Sequence, residues 1–194
     1  MPSTDPFTTI LAIAVLGVLV VALVLSLVSL RRPSTAVMSV AGALVVCALL
    51  ACIAASPMST PVAIGIPLAV AATAVSVIGG NPFTRRALDI ATGKRVRETE
   101  DGGIVIVRAR ADDSASSYTL MRGGTVIGYL ERLAVTLSIL VGYPAAIAAI
   151  IAVKGIGRFP ELAESEARER FIVGTLASLL WSGAIGAVAR LALG

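Results

Sequence analysis

Four charged side chains stand at the two ends of a long apolar run near the C-terminus. Glu131 and Arg132 precede the run, and Lys154 and Arg158 follow it. Ionisable groups at the edge of a bilayer are costly unless they are paired or hydrated. We therefore predict that these four residues form a binding site for an anionic substrate, a lipid headgroup or a partner. Thr175 and Ser178, two hydroxyl residues of the last apolar run, are further candidates for this binding site.

The apolar run between these charges fits two structures. Its 21 uncharged residues, 133–153, suffice for one straight membrane-spanning helix, which would separate the charged ends. A reversal at the Gly-Tyr-Pro sequence 142–144 would instead give two short helices and let Glu131 pair with Lys154 or Arg158. Proline disfavours a helix interior, and a straight span would place Lys154 and Arg158 outside, against the positive-inside bias. The sequence favours the hairpin.

The composition predicts an integral membrane protein. Hydrophobic residues make up 57% of the 194 residues, and the mean hydropathy is +0.93. Soluble domains usually contain about 45–50% apolar residues. The net charge is +4, but the basic residues lie beside apolar runs. This placement indicates contact with membrane lipids and their anionic headgroups, and it argues against nucleic acid as a partner.

The residue types exclude much enzyme chemistry. The chain has no histidine, which removes Ser-His and Cys-His nucleophile pairs and histidine-ligated metals. Cys47 and Cys52 lie in one apolar run without a nearby carboxylate, so they are interpreted as packing residues. The glycine-rich stretch 123–128 lacks the Lys-Ser/Thr ending of a phosphate-binding loop and is interpreted as a turn. We predict no catalytic residue, no metal and no cofactor.

Four apolar runs are long enough to span a membrane: 7–30, 35–55, 61–79 and 171–189. Basic residues follow the first and third runs, so the positive-inside bias predicts an outside N-terminus and a cytoplasmic segment 81–128. Its basic residues are predicted to contact lipid headgroups: Arg85, Arg86, Lys94, Arg95 and Arg97. The Ala- and Val-rich composition suggests a bacterial protein, which would place it in the cytoplasmic (inner) membrane.

The polar segment 81–128 is predicted to hold a short interfacial helix and then a small β-hairpin with strands at 104–107 and 118–121. The expected fold class is an all-α polytopic membrane protein, with four full transmembrane helices, a proline-broken re-entrant helical hairpin and a cytoplasmic β-hairpin segment. The expected organisation is a three-span region (1–80), the polar segment (81–128) and a C-terminal region (129–194). The last region contains the hairpin, a charged helix and the last span.

Small residues recur at every fourth position of the last span. This pattern lets a second helix approach closely and predicts tight helix packing. The residues are Gly174, Ser178, Ser182 and Gly186.

The C-terminal third carries three short motifs: Leu-Glu-Arg at a helix start, Lys-xxx-Arg-Phe after a break, and Gly-Thr-xx-Ser in the last span. The positions are Leu130, Glu131, Arg132, Lys154, Arg158, Phe159, Glu161, Gly174, Thr175 and Ser178. With these motifs the C-terminal third resembles a family of uncharacterised bacterial multi-pass membrane proteins. The resemblance implies a multi-pass membrane fold, but the family implies no particular activity.

Three functions remain open from the sequence. The first is non-catalytic transport or permeation of a small anionic or lipid substrate, through an oligomeric assembly. The alternative is an accessory or assembly subunit of a larger membrane protein complex, which would bind through its small-residue faces. A lipid-modifying enzyme that uses Glu131 or Asp89 ranks last, because the chain has no histidine and no cluster of carboxylates.

Overall fold

Four long helices make the chain a membrane protein. The computed structural model describes residues 6–31, 34–56, 60–91, 97–98, 104–107, 117–119, 124–157 and 165–194. The helices within these residues are α1 (Pro6–Arg31), α2 (Thr35–Ala54), α3 (Val62–Ala91), α4 (Gly124–Leu140), α5 (Ala146–Gly157) and α6 (Ser165–Leu193). Of these, α1, α2, α3 and α6 are long and apolar enough to cross a membrane. The four spans expected from the sequence are therefore present.

The four spanning helices surround a common core. Helix α1 contacts α2 and α3, and α6 also contacts both of these helices. On α1 the buried positions are three or four residues apart, as expected for one face of a helix. Large apolar side chains cover the outside, where Ile10 is 67% and Leu180 is 70% exposed. Water would not favour such a surface, whereas the hydrocarbon of a bilayer would.

Trp181 connects α6 to α3 in the middle of the bundle through a hydrogen bond and a ring contact. Its indole Nε1 donates a hydrogen bond to the carbonyl of Val75 at 3.2 Å, and its ring stacks on Phe83 with centroids 4.9 Å apart. Gly79 makes room for the indole, because a Cβ there would lie 2.6 Å from the ring and 2.6 Å from Ser26 Oγ. The glycine therefore sets how closely α6 approaches α3.

Helices α4 and α5 form a folded-back pair on the outside of α3 and α6. Helix α4 ends at a Schellman motif, in which the N–H of Tyr143 donates to Ser138 O and that of Gly142 donates to Ile139 O. Gly142 has a φ of 76°, which glycine adopts without steric cost. Pro144 follows two residues later and disfavours continuation of the helix. The chain thus reverses at the Gly-Tyr-Pro sequence.

Three element boundaries differ from the sequence prediction. Helix α3 continues through Asn81 and Pro82 to Ala91, so the prediction of a separate interfacial helix is wrong. The proline removes one backbone donor, but packing against α4 and α6 supports the helix on both sides of it. Gly124 is the first residue of α4 rather than part of a turn. The charged helix and the last span are one helix, α6, within the described residues.

The predicted fold class is wrong in its β-hairpin. The protein is α-helical, and the described residues between α3 and α4 form only three very short strands, β1 (Arg97–Glu98), β2 (Ile104–Val107) and β3 (Ser117–Thr119). They pair antiparallel in the order β1-β2-β3, so β2 has a partner on both sides. The apolar pattern of residues 104–107 revealed β2, whereas the two charged residues of β1 carry no strand pattern. A two-stranded hairpin unit is therefore not supported.

The contacts between helices place most of the helix ends that carry charged residues at one end of the bundle. Helix α6 runs antiparallel to α3, because Gly65 faces Leu193 at one end and Leu88 faces Gly174 at the other. Helix α4 runs parallel to α6, because Ile139 lies against Gly186 and Arg132 contacts Ser178. The N-terminal halves of α4 and α6 and the C-terminal end of α3 therefore lie at one end of the bundle.

Candidate functional site

Arg132 is a buried cation between three helices. Its side chain belongs to α4 and is only 2% exposed. Nε donates to Val77 O at 3.1 Å, and one terminal nitrogen donates to Asn81 Oδ1 at 2.6 Å, both on α3. The other terminal nitrogen donates to Ser178 Oγ on α6 at 3.4 Å. These acceptors are a carbonyl, an amide and a hydroxyl, so none of them carries a charge.

Two glycines create the space that Arg132 occupies. A Cβ at Gly80 of α3 would overlap the Cδ and Nε atoms of the arginine, and a Cβ at Gly128 of α4 would lie 3.2 Å from a terminal nitrogen. The guanidinium also lies 5.4 Å from the centre of the Tyr129 ring, within the range of a cation–π interaction. The arginine is therefore held in one place by its neighbours.

Glu131 and Lys154 join the two arms of the hairpin. Lys154 Nζ of α5 lies 2.5 Å from Glu131 Oε2 of α4, and the two side chains are 17% and 11% exposed. The ammonium also lies 5.7 Å from the centre of the Phe171 ring on α6. The two ends of the apolar run 133–153 thus lie together, as the hairpin interpretation expects. Arg158 lies outside the described residues.

A cleft lies at this end of the bundle, with a volume of about 160 Å³. Four helices line it, and its charged side chains comprise four cations and one carboxylate. The lining residues are Asn81, Thr84, Arg85 and Leu88 of α3; Gly124, Thr125, Ile127, Gly128, Glu131 and Arg132 of α4; Lys154 of α5; and Arg170, Phe171, Gly174, Thr175 and Ser178 of α6. Drug-sized ligand pockets measure about 300–1,000 Å³, so this cleft suits a smaller group.

Three buried oxygen atoms in the cleft have no hydrogen-bond partner within the described residues. They are Thr84 Oγ1, Thr175 Oγ1 and Glu131 Oε1. Thr175 is only 9% exposed. Buried polar atoms in proteins are nearly always paired with protein or water, and leaving one unpaired costs about 1–3 kcal/mol. The lining of the cleft therefore has polar atoms that a bound molecule can satisfy.

The structure brings together most of the residues predicted for binding. Glu131, Arg132, Lys154, Thr175 and Ser178 all line the cleft. In the small-residue stripe of α6, Gly174 faces α3 and Gly186 faces α4. Ser182 is fully buried and donates a hydrogen bond to Ser178 O in its own helix.

The basic residues predicted to contact headgroups are separated. Arg85 lines the cleft, whereas Arg86 forms an ion pair with Asp89 at 3.0 Å. Arg97 begins β1, and Lys94 and Arg95 lie outside the described residues. The structure describes the side chains of Arg85 and Arg86 among these five, and only Arg85 of the two lines the cleft.

Sequence reasoning missed the contribution of α3 to the cleft. Asn81 was assigned to a polar segment, yet its side chain accepts a hydrogen bond from Arg132. One signal was available, because Asn81 is the only Asn or Gln in the chain. Gly80 and Thr84 carried no comparable signal. Among the described residues, no three His, Cys, Asp or Glu side chains come close enough to hold a metal ion.

Comparison with known proteins gives no relative for this chain. No protein-family model matches it, and neither curated proteins nor solved structures give a match. The resemblance of the C-terminal third to a family of bacterial membrane proteins therefore stays a prediction.

The ion pair between the hairpin arms gives a direct test of this geometry. We expect Lys154→Met to lower the free energy of unfolding by about 3 kcal/mol, because it leaves the Glu131 carboxylate buried and unpaired. Combining it with Glu131→Gln should recover much of this loss. Unfolding in mild detergent, followed by circular dichroism, measures both effects. As the control, Arg86→Met breaks a more exposed pair and should cost below about 1 kcal/mol. Additive effects of the two substitutions would contradict the pairing.

Proposed function

We propose that the protein is a non-catalytic membrane protein that binds a small anionic or lipid substrate in the cleft for transport or permeation. The observation that carries the proposal is the buried guanidinium of Arg132, whose described acceptors are all neutral. A buried guanidinium with only neutral hydrogen-bond acceptors is costly, and within membranes such residues commonly line substrate pathways. A bound anion would add a charged acceptor to the three neutral ones.

Arg132 retains the capacity to bind an anion. A guanidinium has five N–H groups, and the three hydrogen bonds to Val77, Asn81 and Ser178 leave two of them. The hydroxyls of Thr84 and Thr175 can donate from two other walls of the cleft. Helix α4 also begins at the cleft, where Gly124 and Thr125 line it. The first N–H groups of a helix have no partner within that helix and attract anions.

The surroundings of the cleft favour a substrate that comes from the membrane or from its surface. Lys154 lies near the end of α5, a helix with no buried residues whose Val153 and Ile156 are 71% and 77% exposed. Leu88, Ile127 and Phe171 add apolar side chains to the cleft lining. A lining that combines polar and apolar side chains matches a molecule with an anionic end and an apolar remainder.

The proposal predicts that Arg132 and Thr175 contribute to anion binding. Inorganic phosphate should raise the unfolding temperature of the purified protein, since a ligand at 100 times its Kd stabilises the folded state by about 2.7 kcal/mol. Arg132→Gln should weaken phosphate binding by about tenfold or more, because charged hydrogen bonds contribute about 1.5–3 kcal/mol. Thr175→Val keeps the shape of the side chain, removes the hydroxyl and should weaken binding by a smaller factor.

Two controls separate loss of binding from loss of folding. The unfolding temperature without phosphate shows whether each variant folds. Arg190→Gln removes an exposed arginine that bonds to the C-terminal carbonyl of Gly194, and it should bind phosphate as the unmodified protein does. An equal response to phosphate in Arg132→Gln, Thr175→Val and Arg190→Gln would refute anion binding in the cleft.

We also propose a bacterial inner-membrane location, with the cleft on the cytoplasmic side and the N-terminus outside. The support is the positive-inside bias, because Arg31 ends α1 and Arg85 and Arg86 lie near the end of α3. In a cysteine-free background, an impermeant maleimide added to intact cells should label Ser56→Cys, in the link after α2, but not Ala91→Cys. Inside-out vesicles should reverse the result. Labelling of Ala91→Cys in intact cells would overturn this orientation.

The second candidate is an accessory or assembly subunit, favoured by the exposed apolar surface of α5. Within the described chain, α5 packs mainly against α4 and buries none of its residues. Native mass spectrometry from mild detergent separates the candidates. The accessory role predicts a fixed ratio to a second polypeptide, lost on Ile156→Asn, whereas the transport proposal predicts single chains or homo-oligomers that retain phosphate binding.

A further inference from the structure

Glu131 presents an acceptor in a cleft that otherwise suits an anion. One oxygen of its carboxylate, Oε2, pairs with Lys154. The other, Oε1, is buried and has no partner within the described residues, and Glu131 lines the cleft beside Arg132. A carboxylate oxygen can only accept hydrogen bonds, so an anion alone would leave it unsatisfied. The cleft therefore offers both cationic donors and one anionic acceptor.

We propose that the ligand is a phosphate ester that carries an N–H or O–H donor a few bonds from its phosphate. This inference rests on the proposed anion binding in the cleft and defines the second group of the ligand. The phosphate binds Arg132, the hydroxyls of Thr84 and Thr175 and the first turn of α4. The donor group binds Glu131 Oε1. An ammonium fits this position best, because a hydrogen bond between charged groups is about twice as strong as a neutral one.

The size and chemistry of the cleft support a ligand of this kind. Its volume of about 160 Å³ suits a headgroup-sized molecule. Phosphate matches the donor types present, since guanidinium groups, hydroxyls and helix N-termini are its usual partners in proteins. A membrane lipid headgroup and a free phosphorylated solute share this chemistry, and the two sources are separated by the experiment.

Phosphoethanolamine and phosphocholine form a matched pair of probes. Both carry a phosphate and a cationic nitrogen, but the trimethylated nitrogen of phosphocholine has no N–H group. We expect the purified protein in detergent to bind phosphoethanolamine about tenfold more tightly than phosphocholine, as measured by isothermal titration calorimetry. Glu131→Gln should reduce this preference to within about twofold, while inorganic phosphate should still bind.

Two further variants keep the test independent of folding. The double variant Glu131→Gln/Lys154→Met removes both charges of the ion pair, so no charge is left unpaired, and it should also lose the preference. Asp89→Asn neutralises an acid that pairs with Arg86 outside the cleft lining, and it should retain the preference. A preference that persists in both Glu131 variants would overturn the assignment of Glu131.

The remaining outcomes distinguish this inference from the proposed function. Equal affinity for the two soluble probes and also for the two diacyl lipids with the same headgroups, with phosphate binding still dependent on Arg132, refutes the donor group but leaves anion binding intact. Failure of the protein to bind inorganic phosphate and both probes, in detergent and in lipid, refutes both.

The source of the ligand is tested with mixed micelles of diacyl phosphatidylethanolamine or phosphatidylcholine. If the protein distinguishes the two lipids but not the two soluble probes, the ligand is a membrane headgroup. If the protein distinguishes the soluble probes as well, it recognises the ligand without acyl chains. Either result supports the recognition chemistry.

Discussion

The packing of α4 against the bundle depends on how the guanidinium of Arg132 is accommodated. The side chain is almost completely buried, and its hydrogen bonds reach α3 at two positions and α6 at one. A buried charge must be satisfied in this way, because its transfer from water would otherwise be strongly unfavourable. Gly80 and Gly128 provide the space, so close approach of the helices and burial of the charge are one packing solution.

The same arrangement explains why the hairpin can remain folded back. Neither α4 with 17 residues nor α5 with 12 is among the helices long enough to cross a membrane. Helix α4 is covered by α3 and α6, whereas α5 is held at its far end by the ion pair between Lys154 and Glu131. Polar groups that would be unstable in hydrocarbon thus lie at the cleft and against neighbouring helices.

Much of the fold could be predicted from composition and spacing. Apolar runs of about 20 residues specify spanning helices because the bilayer thickness fixes their length. Gly142 and Pro144 favour the reversal because glycine adopts a positive φ without steric cost and proline disfavours a helix interior. The same local rules failed at Pro82, where packing from neighbouring helices supports a continuous α3. They also failed in the polar segment, where the short charged strand β1 has no pattern.

The sequence by itself determined that this is a membrane protein, where its spanning helices lie, and that Glu131, Arg132 and Lys154 are candidate binding residues. Only the tertiary structure decided that Arg132 is buried and bonds to Asn81, and that Thr84 and Thr175 line the same cleft. Hydrophobicity and turn chemistry are properties of neighbouring residues, so they can be read along the chain. The cleft joins side chains from four helices, and its geometry depends on how closely those helices pack.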